Sequence, residues 1–192
     1  MACALLVGAG FGQGAGQSTS FGQSRVQFRS TEWVGLSSGQ VGSAGQVQTV
    51  NGVAKGPWFV GVGAGLDYYR FRSVPLFLSV TRDLAIGKRD WLFLYVDGGT
   101  NVPWYSRNLS PNGYDGIVSS KFQGGEYWSG GLGYLWKLGA HTSKAILFSA
   151  GYTVKKLSEN QVVASSCAPA NCDLVYYQYL NRMYQFMIGF RF

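Results

Sequence analysis

The chain is short of charge. Asp, Glu, Lys and Arg make up 13% of its 192 residues, about half of the roughly 25% usual in soluble domains. Hydrophobic content is ordinary at 46%, so what is missing is the charged coat of a soluble protein. Long apolar runs are missing too. No stretch of about 18 or more consecutive apolar residues occurs, which argues against a transmembrane helix. Histidine is reduced to His141 in the turn-like "KLGAHTSK", where an ordinary solvated role is expected. Hydrolytic or transfer catalysis needs an activated nucleophile with a base at hand. No G-x-S-x-G, H-E-x-x-H or Walker-type pattern supplies one, so no catalytic residue is assigned.

Cysteine is sparse, with three residues. Cys3 lies near the N-terminus, and Cys167 and Cys172 share the turn-rich "SSCAPANCDL". A lone C-x4-C pair is poor evidence for metal, because zinc wants four ligands. In an exported chain two nearby cysteines are expected to close a loop disulfide. No cofactor and no metal are expected.

What the chain has is glycine (28 residues) and aromatics (16%). Disordered segments are poor in aromatic and β-branched residues, so this pairing points to β-structure. The last ten residues, "MYQFMIGFRF", carry the clearest pattern. Tyr184, Phe186, Ile188, Phe190 and Phe192 share one parity; Met183, Gln185, Met187, Gly189 and Arg191 share the other. Successive side chains of a strand point to opposite faces, so the segment presents one continuous apolar face. It resembles the closing strand of Gram-negative outer-membrane β-barrels, in which a C-terminal aromatic strand is the assembly signal. That resemblance implies the role for Phe186, Phe190 and Phe192, and with it a barrel-assembly machinery as partner.

Eight strands are expected, over 26–37, 47–53, 58–69, 74–82, 91–100, 123–138, 145–156 and 180–192. In "WFVGVGAGLDYY" Trp58, Val60, Val62, Ala64, Leu66 and Tyr68 alternate with Phe59, Gly61, Gly63, Gly65, Asp67 and Tyr69. In "AILFSAGYTVKK" Ile146, Phe148, Ala150, Tyr152 and Val154 alternate with a second set that ends on Lys155. Connections after the second, fourth and sixth strands are short. Those over 101–122 and 157–179 are long, and those after the first and third are modest. Short turns at one rim, longer loops at the other and an even strand count form the outer-membrane barrel pattern. The expected fold is therefore all-β: an eight-stranded antiparallel up-and-down transmembrane barrel over 23–192, with N- and C-termini periplasmic. Residues 1–22, whose apolar run resembles part of a secretory signal, are set apart as a signal-peptide remnant or disordered N-terminus. A soluble eight-stranded barrel would turn a charged face outward, whereas the second face here is Gly, Ser, Thr and a few acids.

Aromatics are expected in two girdles. Trp58, Trp91 and Trp136 fall at the periplasmic rim; Tyr68, Tyr69, Phe71, Trp104, Tyr105, Tyr127 and Trp128 fall at the other. Glu32, Asp67 and Asp97 are expected to point inward, Glu126 to lie near the outer rim, and Arg29, Arg82 and Arg191 to be candidate partners. An eight-stranded barrel has a lumen that side chains just fill, so an open pore is disfavoured.

The net charge is +7 and the pI about 9.4. Arg70, Arg72, Arg107, Lys121, Lys155, Lys156 and Arg182 are placed near the outer rim, interleaved with aromatics. Basic groups at that height suit lipopolysaccharide phosphates, and an outer-membrane location argues against nucleic acid. The function expected is non-enzymatic: a scaffold or accessory subunit of an envelope complex, meeting a partner through surface loops or the lipid-facing wall. The resemblance leaves open a lipid-modifying enzyme of acyltransferase or deacylase type and, less favoured, a small solute pore.

Overall fold

A computed structural model describes residues 25–86, 90–104, 117–139, 144–164 and 172–192. Its strands are β1 (Gln27–Gly39), β2 (Gly42–Lys55), β3 (Trp58–Asp67), β4 (Ser73–Ala85), β5 (Asp90–Pro103), β6 (Ile117–Gln123), β7 (Gly125–Lys137), β8 (Ala145–Ala164) and β9 (Cys172–Arg191). Every pairing is antiparallel. β6 and β7 lie end to end along β8, separated by Gly124, so they form one stave. β9 pairs with both β8 and β1, which closes the sheet into an eight-stave barrel with no open edge along the closed part.

All eight expected strands are present, and most run longer than their alternation suggests. Within 157–179, residues 157–164 and 172–179 are strand. β8 and β9 stay in register from Leu157↔Tyr179 to Ala164↔Cys172, an extension that β6 accompanies along β8 from Ser158 to Val163. Its polar "LSENQ" hid it, because a strand that has left an apolar band no longer needs one apolar parity. Part of 101–122 is likewise strand, since β5 runs to Pro103 and β6 begins at Ile117. The modest loop after the first strand shrinks to Gln40 and Val41, closed by Gly42 at φ +122°. At the opposite end, Gly56 (φ +60°) turns β2 into β3, a left-handed backbone that glycine enters without steric cost.

The two faces of the wall differ sharply. Outside, Val60, Val62, Leu78, Leu132, Phe186 and Ile188 are each half or more exposed. So continuous an apolar band is far more than a water-soluble surface carries, and a closed sheet is the β-structure that lipid tolerates. Inside, small residues alternate with rings. Phe77 lies over Gly63, and a Cβ on that glycine would overlap the ring; Phe93 covers Gly133 in the same way. The inner aromatics gather in two clusters, Phe59–Phe77–Tyr127 with Val50 and Phe93–Leu135–Leu147 with Ala145, and Trp33 touches both.

Candidate functional site

The lumen is closed by charge at two levels. Near one end, Lys155 Nζ sits 2.6 Å from Asp67 Oδ2, with both side chains buried. It also donates to the Tyr69 carbonyl at 3.2 Å and to Ser73 Oγ at 3.3 Å, which uses all three ammonium protons. Near the other end, Asp83 Oδ2 accepts from Arg191 at 2.9 Å and from Arg29 at 3.0 Å. Buried charges matched in this way plug a barrel. Between the two levels, Thr153 donates to Gln185 Oε1 at 2.7 Å, and Gln48 Nε2 donates to the Tyr127 hydroxyl at 3.3 Å. A cavity of about 30 Å³ remains beside Asp97, Tyr95 and Trp33, room for roughly two waters.

Several expectations are corrected here. Lys155 does not reach the rim surface: it shares parity with Thr153 and Leu157 and is fully buried against Asp67. Trp91 is not part of an outward girdle. It shares parity with Phe93 and Asp97, packs on the inner cluster, and has the Lys137 ammonium 3.9 Å from its ring. Tyr69 and Tyr127 are also buried inside. Glu32 points outward, not inward, because it shares parity with Val34 and Leu36. Arg29 and Arg191 bind Asp83, which the reading of "DLAIGKRD" as a turn had hidden, while Arg82 lies over the Trp58 ring at 5.0 Å. Inward parity with Phe77, Ser79 and Thr81 would have revealed Asp83.

The rim at the β3–β4 connection is where basic and aromatic groups meet. Arg70 adopts φ 59°, uncommon for a residue with a Cβ, and its guanidinium lies 4.4 Å from the Tyr179 ring centroid and 5.5 Å from that of Phe71. Phe71 in turn packs on Phe122 at 5.0 Å. Arg72 stands 5.7 Å from the Tyr68 ring, and its carbonyl accepts from the Trp104 N–H at 2.8 Å. Lys156 is exposed and pairs with exposed Glu126 at 2.7 Å. Arg70, Arg72, Lys121 and Arg182 are exposed and form no ion pair among the described residues. Tyr68, Trp104 and Trp128 face outward at this end, Trp58 and Trp136 at the other, while Phe186, Phe190 and Phe192 line the outer face of β9. Tyr179 escaped the sequence reading; the run "VYYQYL", rich in strand-favouring residues, was its signal. Arg107, Tyr105, His141, Cys3 and Cys167 lie outside the described residues, as does the 1–22 segment, and Cys172 is described by its backbone alone.

Among the described residues, no group of three or more His, Cys, Asp or Glu side chains could hold a metal ion. No protein-family model and no curated protein sequence matches the chain. Solved structures do. The chain is similar to Neisserial surface protein A (NspA), at 13% identity and a TM-score of 0.52, over 86% of this chain and 95% of that one. It is similar to the outer membrane protein OprG from Pseudomonas aeruginosa at 14% identity and a TM-score of 0.53, over 86% and 95% respectively. The chain shares the closed eight-stranded fold of these outer-membrane barrels.

Proposed function

We propose that the chain sits in the outer membrane of a Gram-negative bacterium as a non-enzymatic scaffold or accessory subunit of an envelope complex. The observation that carries this reading is the filled lumen. The Lys155–Asp67 and Asp83–Arg191 pairs are buried, with Arg29 half-buried beside Asp83, and rings pack between them. A barrel spent on its own packing offers partners its rims and its outer wall. The apolar wall and the outer-membrane barrels of the same fold support the location.

The topology of the reading puts both termini and the short turns in the periplasm, and the long β8–β9 hairpin outside the cell. The rim then meets lipopolysaccharide. Arg70 beside Tyr179 and Arg72 beside Tyr68, with exposed Lys121 and Arg182, are the groups suited to its phosphates. Aromatic rings beside them suit the headgroup level.

Gentle detergent extraction followed by mass spectrometry of co-purifying proteins tests the role. A defined envelope protein recovered in constant ratio is expected. Recovery as a lone barrel with measurable lipase or acyltransferase activity overturns the reading. Heat-modifiable migration tests the barrel separately, and a band that never shifts counts against it.

A further inference from the structure

The connection between β3 and β4 is tied from inside the barrel. Lys155 Nζ holds both of its ends, Asp67 Oδ2 at 2.6 Å and Ser73 Oγ at 3.3 Å, and the Tyr69 carbonyl between them at 3.2 Å. Tyr69 is fixed at three further points. Its N–H donates to Asp67 Oδ1 at 2.7 Å, its hydroxyl accepts the Val41 N–H at 3.0 Å, and its carbonyl also accepts the Phe71 N–H at 2.7 Å. That last bond closes a three-residue turn with Arg70 at its centre, at φ 59°. A turn of this hand is the rarer, strained form. A residue with a Cβ stays in it only where its surroundings over-determine the backbone, and such strain gathers at functional positions.

The side chain is held from the other side. The Arg70 guanidinium lies 4.4 Å from the centroid of the Tyr179 ring. Tyr179 is itself anchored, by its hydroxyl on Glu159 Oε2 at 2.8 Å and by ring contact with Phe71 at 5.3 Å. Stacking occupies the face of a guanidinium and leaves its five N–H groups along the edge. Glu159 accepts from Tyr179, Gln161 and Ser120. Arg70 is exposed, and its side chain makes no hydrogen bond or ion pair among the described residues. The result is a planar fork fixed by its face, with its edge donors still to be matched.

We propose that Arg70 is the residue that selects phosphate at this rim, through two parallel N–H···O bonds to a phosphomonoester, and that buried Lys155 is its positioning residue. That assignment rests on the reading that this rim meets lipopolysaccharide, and adds which cation recognises the phosphate and what presents it. Arg72 stands farther from its ring, 5.7 Å from the Tyr68 centroid. No ring holds Lys121 or Arg182 among the described residues, so these three supply charge without a fixed fork. A tetrahedral phosphate offers the paired acceptors that a fixed fork fits.

The full chain, refolded in zwitterionic detergent, is titrated with three probes, and bound ligand is counted by native mass spectrometry. The probes are lipid A with its phosphates, lipid A stripped of them, and inorganic phosphate. Arg70→Lys keeps the charge but loses the fork. It is expected to weaken binding of phosphorylated lipid A about tenfold and to leave the stripped lipid unaffected. Asp67→Asn with Lys155→Met removes the clamp without leaving a buried charge unpaired, and Asp67→Asn still offers the Tyr69 N–H an acceptor. This pair is expected to give a similar loss while the heat-shifted, folded band is retained. Adding Arg70→Lys to the pair should cost nothing more, because both act through one guanidinium. A lysine that merely stabilised the barrel would give additive losses. Undiminished affinity in Arg70→Lys, or additive losses, overturns the inference. The rim reading fails separately, if Arg70→Ala, Arg72→Ala, Lys121→Ala and Arg182→Ala together leave lipid A binding unchanged. Inorganic phosphate that binds as tightly as lipid A, and is weakened by Arg70→Lys, supports the Arg70 site and assigns it to free phosphate in place of lipid.

Discussion

Lys155 and Asp67 meet inside the barrel at 2.6 Å, 88 residues apart in sequence. The pair ties β8 to the end of β3 across the lumen. Lys155→Met would leave a buried carboxylate without its cation, at a cost of about 3–5 kcal/mol. Asp67→Asn combined with Lys155→Met removes both charges and is expected to cost less than the single change. Urea midpoints in detergent micelles, read with the slope held constant, check the order. A rim lysine would give no such loss.

Parity along each strand carried most of what could be read in advance. It sets Val60, Val62 and Leu66 against Asp67, and the structure keeps those sides. The misplacements came where a residue type was trusted over its parity. Residue type alone sends Trp91 to a girdle, Glu32 to the lumen and Lys155 to a rim. In each case the alternating neighbours pointed the other way. The β8–β9 extension was illegible for another reason. Outside an apolar band only backbone pairing defines a strand, and pairing leaves no periodic mark in composition.

Glycines on the inner face are seats for rings, so enlarging one should strain its ring. Gly63→Ala places a methyl group against Phe77 and is expected to destabilise the barrel by about 1–3 kcal/mol. Combining it with Phe77→Leu should return part of that loss. The two changes act on one contact, so their effects are not additive. A double-mutant cycle on urea midpoints measures the coupling, and strict additivity would show that Gly63 is not the seat.

Tyr179, on the projecting hairpin, donates to Glu159 Oε2 at 2.8 Å. Burial first, then that hydrogen bond and the carboxylate's charge, push its phenol up to about 12, against a smaller opposing pull from Arg70. The neutral phenol is the form the fold favours. Its contribution is therefore complete below the ordinary tyrosine value near about 10 and is lost as pH rises through about 12. A difference titration of tyrosinate absorbance, native protein minus Tyr179→Phe, should show one phenol ionising late. Glu159→Gln should bring that ionisation earlier.

Phe192 offers a way to separate folding from delivery. The Phe192 N–H donates to the Ser30 carbonyl and the Ser30 N–H donates to the Phe192 carbonyl, each at 3.0 Å. Both bonds are main chain, and the ring itself lies half-exposed on the outer wall beside Phe190, at 6.0 Å between centroids. Phe192→Ser keeps the backbone pairing that closes β9 onto β1. Its stability after refolding in detergent is expected to stay within about 0.5 kcal/mol of the native value, as for other exposed sites. If the terminal aromatic is read during assembly, the folded, heat-shifted fraction in cell membranes should fall even so. Equal loss in detergent and in cells would make Phe192 a packing residue only, and no loss in either would remove it from the assembly signal and leave Phe186 and Phe190 to carry it.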